Sequence, residues 1–434
     1  MSVIPREQAG GHGADRDTVP PGTRLVPDRG TRLIADGTVL VGGAPARVLR
    51  LTPGGARQVA SWLGGAPVSG GAAAGKLARR LLDTGIAHPV PEPSGSRVPV
   101  PADVTVVIPV RDRHAELARC LAGLGDLPHV IVVDDASADP AAIQRIADGH
   151  GAAVIRRPVN GGPGSARNTG LAAAETGFVA FLDSDCVPRP GWLAGLLPHF
   201  ADPAVGAAAP RIVPHEQGDS WLARYEGASS TLDMGARPSV VRPGARVPYV
   251  PGAALVVRRS AAAAGFRDGM HVGEDVDFVW RMAAAGWRVR YEPAAVMGHD
   301  HRVTFRAWFS RRADYGTSAA ALETLHPGAV RPLYASWWTI GAWAAALSGR
   351  PATAAALTGT ATALLARRLA RVTGEPWPFP APRQDNSKKR QHERTPNRIA
   401  NSPVRDNSKK PAGGLGLGAM VDVWAHRSVP KRPL

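Results

Sequence analysis

Between Val104 and Leu182 short apolar runs alternate with longer stretches in a fixed order. VTVVIPV, HVIVVDD, AAVIRR and FVAFLD are rich in Val, Ile and Phe, as strands are. RHAELARCLAGL, PAAIQRIADGH and the segment Gly164–Gly177 read as the helices between them. Strand and helix in strict alternation predict a parallel sheet covered on both faces. Sheets of this kind bind ligands at the carboxyl ends of their strands. Asp134 and Asp135 end the second run, and Asp183 and Asp185 follow the fourth.

The pattern differs on either side. TRLIADGTVLVGG reads as a hairpin turning at Asp36-Gly37, and ARVLRL as a third strand. Thr52-Pro53 opens a helix through ARQVASWL, and KLARRLLDTG is a second helix ending at Gly85. Residues 23–88 therefore form a small winged-helix-like α+β module. Residues 1–22 read as disordered, and 89–101 as a Pro-rich linker. The α/β domain spans 102–325. In its later part PYVPGAALVVRRSAA suggests a strand and then a helix, EDVDFVWRMAAAGW an amphipathic helix, and VRYEPAAVMGHDHR a strand.

Residues 326–380 hold the uncharged run PLYASWWTIGAWAAALSG, a second run rich in Ala and Thr, and then RRLAR. Each run is borderline for a membrane span. Two readings stand: a buried helical hairpin, or a pair at the inner face of the cell membrane with RRLAR near anionic headgroups. Residues 381–434 read as a disordered basic tail in which DNSKK occurs twice.

Charge changes this picture little. The net charge is +16, but Arg383–Leu434 holds 12 Lys/Arg against 4 Asp/Glu, so half of the excess lies in the tail. No nucleic-acid-binding motif is present, and nucleic acid is not an expected partner. Two cysteines fit a reducing cytosol, and the N-terminus shows no secretory h-region, so the expected location is cytoplasmic.

The acidic strand ends carry the chemistry. An Asp-x-Asp after an apolar strand suits Mn²⁺ or Mg²⁺ held on a diphosphate, since these ions take few protein carboxylates plus phosphate oxygens. For an isolated pair, a solvated turn with capping aspartates is the better explanation. This pair belongs to an ordered set: VVIPVRDR, VVDDAS, NGGPGSARNTGLAAA, DSD and GEDVDFVWR.

That set resembles glycosyltransferase family 2 over roughly Val104–Ala320. The resemblance implies the GT-A nucleotide-diphospho-sugar transferase fold, with a mixed, mainly parallel sheet, and an inverting, metal-dependent enzyme using a UDP-sugar donor. It places Pro109, Val110 and Arg111 at the nucleotide pocket, Asp135 on the uracil with Asp134 beside it, and Gly162, Arg167 and Asn168 along the nucleotide. It places Asp183 near the ribose and the metal, Ser184 on the donor side, and Asp185 on the metal. His299, with His301 as its neighbour, becomes an additional metal ligand. Asp275 becomes the base that deprotonates the acceptor, with Glu274 as its partner, although Glu-Asp at a helix start is also a capping pattern. Arg312 is expected to face the diphosphate.

LVPDRGTRLIADGTVLVGGAPARVLRLTPGGA, ARRLLDTGIAHPVP and RADYGTSAAALETLHPG extend the likeness. With them the chain is similar to the glycosyltransferases of the mycofactocin system. That implies β-1,4-linked glucose added from UDP-glucose to a peptide-derived redox cofactor precursor, with the N-terminal module serving peptide recognition. The alternative is a family 2 enzyme acting on a cell-envelope lipid or polysaccharide in cell wall biogenesis. A pyrophosphorylase would need a Gly-rich loop after the first strand, where VIPVRDRHAE stands. A non-catalytic sugar-nucleotide binder would need the DxD or the Glu-Asp lost.

Overall fold

The computed structural model describes residues 16–90, 98–216, 218, 220–300, 304–330 and 336–373. The expectations for the N-terminal segment and the basic tail, most of the Pro-rich linker, and His301 lie wholly or largely outside the described residues.

The first elements are β1 (Leu25–Pro27), β2 (Arg32–Ile34), β3 (Val39–Gly42), β4 (Arg47–Arg50), α1 (Pro53–Leu63), α2 (Ala72–Asp83) and β5 (Ala87–Pro89). β2 and β3 pair antiparallel around a loop in which Ala35, Asp36 and Gly37 all have positive φ. That backbone explains the Asp-Gly signal, because short polar residues and glycine tolerate it best. α1 starts where Thr52 Oγ1 accepts the Gly55 N–H at 3.2 Å and Pro53 fixes the first helical φ.

The following chain is β6 (Val104–Val110), α3 (His114–Leu124), β7 (Val130–Asp135), α4 (Pro140–Asp148), β8 (Ala153–Arg157), α5 (Gly162–Ala173), β9 (Phe178–Leu182), β10 (Cys186–Pro188), α6 (Trp192–Leu196), β11 (Val205–Pro214), α7 (Trp221–Ser229), β12 (Ser239–Val240), β13 (Ala254–Arg258), α8 (Glu274–Ala284), β14 (Arg288–His299) and α9 (Phe305–Leu325). It builds the expected α/β fold on one mixed nine-stranded sheet, in the order β10-β14-β11-β13-β9-β6-β7-β8 with β12 beside β14. β8, β7, β6 and β9 run parallel in register. β13 then pairs antiparallel with β9, Ala254 opposite Leu182. That reversal brings the chain entering β13 beside the carboxyl end of β9.

β6 is buried along its whole length. Val106 and Ile108 pack with Leu117, Cys120 and Ile143 on one face, while Val107 packs with Ala166 and Phe181 on the other. Alternate residues on opposite faces, both covered, account for the unbroken apolar run. α5 lies flush on β6 because Gly170 has no side chain: a Cβ there would stand 2.2 Å from Val107 Cγ1. Phe266 stacks on Phe278 at 4.3 Å, with Phe181 edge-on to Phe266 at 5.1 Å. Beneath the turn after β9 lie both cysteines. Cys186 Sγ is 3.3 Å from the Ala253 carbonyl and Cys120 Sγ is 3.8 Å from that of Asp183. Burial pushes both thiols well above their usual range.

The chain divides into two compact units. The larger joins β1, α1, α2 and β5 to the nine-stranded sheet and α9. Its joints are ion pairs: Arg79 to Asp202 through two 2.7 Å bonds, Arg288 to Asp83 at 2.9 Å, and Arg246 to Asp28 at 2.7 and 2.8 Å. The smaller holds β2, β4, most of β3, and the helices α10 (Trp337–Leu347) and α11 (Pro351–Thr373). α10 packs along α11 yet leaves Trp337, Trp343 and Leu347 exposed. No described helix is long and apolar enough to cross a membrane.

Candidate active site

The carboxyl ends of β6, β7 and β9, the start of α5 and the start of α8 gather the acidic residues. Asp134 is fully buried, accepts the Ser137 N–H at 2.9 Å and pairs with Arg156. Burial works against its charge, but Ser137 and Arg156 outweigh it and lower its pKa. Asp135 accepts the N–H groups of Gly161 (3.1 Å) and Gly162 (2.8 Å) and pairs with Arg157 at 2.5 Å. It thereby fixes the glycine turn that starts α5, where Gly162 has φ +83°. Pro109 and Val110 are buried in β6, while the Arg111 side chain is 53% exposed beside Asp112. Ser137 Oγ accepts the Asp112 N–H at 3.0 Å, which ties the turns after β6 and β7 together.

Arg167, on α5, connects distant motifs. Its Nη2 donates to Asp183 Oδ1 at 2.6 Å and its Nη1 to Glu274 Oε1 at 2.9 Å, over the face of Phe266. The guanidinium is buried; that opposes its charge, but Asp183 and Glu274 outweigh burial and raise its pKa. One fixed cation thus bridges the DxD turn and the Glu-Asp helix. Asn168 bonds through both polar atoms to the Phe266 backbone, at 2.8 and 2.7 Å, and so anchors that loop.

Asp185 sits one turn beyond β9, where Arg113 pairs with it and His299 Nε2 lies 3.5 Å from its Oδ1. β10 pairs with β14 so that Cys186 faces His299, which brings the histidine to the DxD turn. Burial opposes the charge of Asp185, but His299 and Arg113 hold its carboxyl below the usual range. Ser184 between the aspartates is buried. Among the described residues no cluster of three or more His, Cys, Asp or Glu stands ready for a metal. A hard carboxylate with one imidazole beside it nevertheless fits an ion that draws its other ligands from phosphate.

Gly273, at φ +81°, turns the chain into α8. Glu274 is buried, and its carboxyl is pushed up to about 7 by burial and then by Asp275, against the pull of Arg167. Asp275 Oδ2 accepts the Gly252 N–H at 2.7 Å and its Oδ1 the Val276 N–H at 2.8 Å. Gly252 comes from the chain entering β13, so the strand reversal next to β9 is what orients this carboxylate. A Cβ at Gly252 would lie 3.0 Å from that of Asp275. Tyr249 and Tyr315 stand near: burial raises both hydroxyl pKa values, and Asp275 adds to the effect.

The sequence directs Arg312 toward the diphosphate, but the structure turns it away. Arg312 donates to Glu226 at 3.0 Å and packs on Trp308. Its neighbour Arg311 lies over Tyr315, 5.0 Å from the ring; burial raises the Tyr315 hydroxyl, Arg311 pulls it back, and Asp275 and Asp183 add to the rise. Adjacent residues on a helix point about 100° apart, and the two arginines take different partners. Sequence reasoning also missed Arg113, Gly252, Tyr249 and Tyr315. Arg113 follows a strand end within VVIPVRDR, the one local signal among the four.

Comparison with known proteins fits this geometry. The glycosyl transferase family 2 model matches residues 105–265. The pre-mycofactocin glycosyltransferase of Mycobacterium tuberculosis (strain ATCC 25618 / H37Rv) is 48% identical over 328 residues, covering 75% of this chain and 68% of that protein. An O-antigen chain rhamnosyltransferase of Salmonella anatum is 27% identical over 194 residues, covering 43% and 61%. Among solved structures, a mannosyltransferase from Pyrobaculum calidifontis in complex with GDP-Man and Mn²⁺ is 23% identical, with a TM-score of 0.40, covering 64% of this chain and 84% of that one. Strand ends that carry Asp135, Asp183 and Asp185, a Glu-Asp helix bound to them through Arg167, and the relative matched over three quarters of the chain lead to one assignment: the chain belongs to glycosyl transferase family 2, with the pre-mycofactocin glycosyltransferases.

Proposed function

We propose that the protein is an inverting hexosyltransferase that moves glucose from UDP-glucose to a peptide-derived cofactor precursor, the pre-mycofactocin of its relative, in β-1,4 linkage. The observation that carries this reading is the Arg167 bridge, which fixes the Glu-Asp helix against the DxD turn. A general base and a donor site held at fixed separation are what a single displacement requires.

Asp135 receives the nucleobase, and Asp183 and Ser184 lie along the ribose. Asp185 and His299 would hold Mn²⁺ or Mg²⁺, which when bound neutralises charge on the departing diphosphate. Asp275 accepts the proton of the acceptor hydroxyl. As that bond breaks, the oxygen bonds to the anomeric carbon and UDP leaves from the opposite face, so an α-linked donor gives a β-linked product. The N–H groups of Gly252 and Val276 keep the carboxylate aimed. Arg311, stacked on Tyr315, is the α9 cation assigned to meet the growing negative charge.

Incubation of the full chain with UDP-glucose, Mn²⁺ and the cofactor precursor, read by mass spectrometry and NMR, tests the reading. A hexose adduct with a β anomeric coupling is expected. An α-linked product would exclude the single displacement, and no adduct with this acceptor would exclude the acceptor assignment.

A further inference from the structure

Arg290 carries a charge that no described group satisfies. It is the third residue of β14, 2% exposed, and none of its three guanidinium nitrogens has a hydrogen-bond partner among the described residues. The carboxylates nearest in charge are already engaged: Asp202 holds Arg79 through both oxygens, and Asp83 holds Arg288 at 2.9 and 3.3 Å. Burial therefore draws Arg290 down to about 10; Asp83 and Asp202 offset this only in part, and Arg79 and Arg288 add to it. Of Arg79, Arg288 and Arg290, only Arg290 has no carboxylate bonded to it among the described residues. A buried guanidinium without bonds is costly, and a chain that keeps one gains when an anion meets it.

Arg290 lines a cavity of about 30 Å³, with Leu82 and Val90 from the N-terminal segment and His199 and Asp202 from the transferase body. His199 faces Glu292 through Nε2 at 3.2 Å, while its Nδ1 is buried and unpartnered among the described residues. The space suits two or three atoms of water size. Across β11, Arg290 stands opposite Ala208 and His299 opposite Pro214, six steps or about 20 Å of strand, so the cavity is remote from the acidic cluster.

We propose that Arg290, with His199 lining the same cavity, forms a site for a compact carboxylate between the N-terminal segment and the transferase sheet. A monoanion matches one guanidinium left without a bonded partner among the described residues, and a planar carboxylate matches its fork. The carboxylate is either a free small acid or the end of a peptide chain. Occupied, the site would fasten α2 and β5 to β14 from within.

The test is thermal unfolding of the full chain at constant ionic strength, balanced with a bulky sulfonate. Acetate should raise Tm saturably, by about 4–8 °C at a hundredfold excess over Kd. Arg290→Met should abolish that rise and, in acetate-free buffer, melt no lower than the wild type. Should the variant fail to fold, saturation-transfer NMR of acetate on the wild type gives the answer. A short peptide with a free C-terminal carboxylate, compared with its amide, separates the sources. Stabilisation by the acid form alone assigns a chain end, and stabilisation by acetate without the peptide assigns a free acid. No saturable response to either in the wild type, or an equal response in Arg290→Met, overturns the proposal.

Discussion

Glu274→Gln isolates the strain at the centre of the acidic cluster. Glu274 is buried, faces Arg167 at 2.9 Å, and has Asp275 as its neighbour in the first turn of α8. Its carboxyl stands at about 7 against 4.5 in the unfolded chain. Ionising it in place therefore costs about 3 kcal/mol more than ionising it in water. Because the folded value is the higher one, the folded state binds the extra proton. The stability this proton confers is complete below about pH 4.5 and is lost as pH rises to about 7. Glutamine keeps an oxygen for Arg167 Nη1 and has no charge to lose. Urea unfolding of wild type and Glu274→Gln, followed by tryptophan fluorescence at half-unit steps from pH 4.5 to 8, reads the difference directly. The variant should gain on the wild type by about 3 kcal/mol across that window, with a flat difference above it. Parallel curves from pH 4.5 to 8 would refute the argument, because they would mean that Glu274 titrates alike in both states.

Four further outcomes follow from the geometry. Asp275→Asn should lower kcat by roughly 10²–10⁴-fold and leave UDP affinity nearly unchanged; near-normal kcat in steady-state assays would remove Asp275 as the base. Asp185→Ala should abolish metal-dependent turnover in a folded protein, and a wild-type rate at limiting Mn²⁺ would count decisively against its role. Arg311→Ala should reduce kcat/KM for the sugar nucleotide more than Arg312→Ala, whose partner is Glu226; equal losses in the two would sink the assignment of Arg311 to the site. Gly170→Ala should destabilise by about 1–3 kcal/mol in chemical denaturation, since the new methyl meets Val107 at 2.2 Å.

In the half of the sheet made by β6 to β9, β6, β7 and β9 are legible because they are covered on both faces and read as nearly unbroken apolar runs, while the half-exposed edge strand β8 is carried by its Val-Ile pair. The other half is less so. β11 reads VGAAAPRIVP, and alanine, glycine and proline are poor strand residues; it is a strand because β13 and β14 pair with it on both edges. Likewise the segment PYVPGAALVVRRSAA holds the expected strand, β13, but only a short 3₁₀ turn follows where it suggested a helix. The acidic motifs were readable as a set, and Arg167 was placed along the nucleotide, yet its part in joining those motifs was not legible. Arg167 meets partners 16 and 107 positions away, and nothing local distinguishes it from a solvent-facing arginine. The choice between Arg311 and Arg312 is hidden for another reason: α9 has no clear apolar stripe, so its sequence does not say which side rests on α8.

The two thiols beneath the DxD turn give the protein a clock. The chain has only Cys120 and Cys186, and both are fully buried. A thiolate, not a thiol, attacks alkylating reagents, so neither sulfur reacts until the sheet opens around it. The rate at which a fast reagent labels the native protein then counts openings of the floor of the acidic cluster, site by site after proteolysis. It also means that one cysteine introduced on the surface can carry a dye or spin label without either natural residue being replaced.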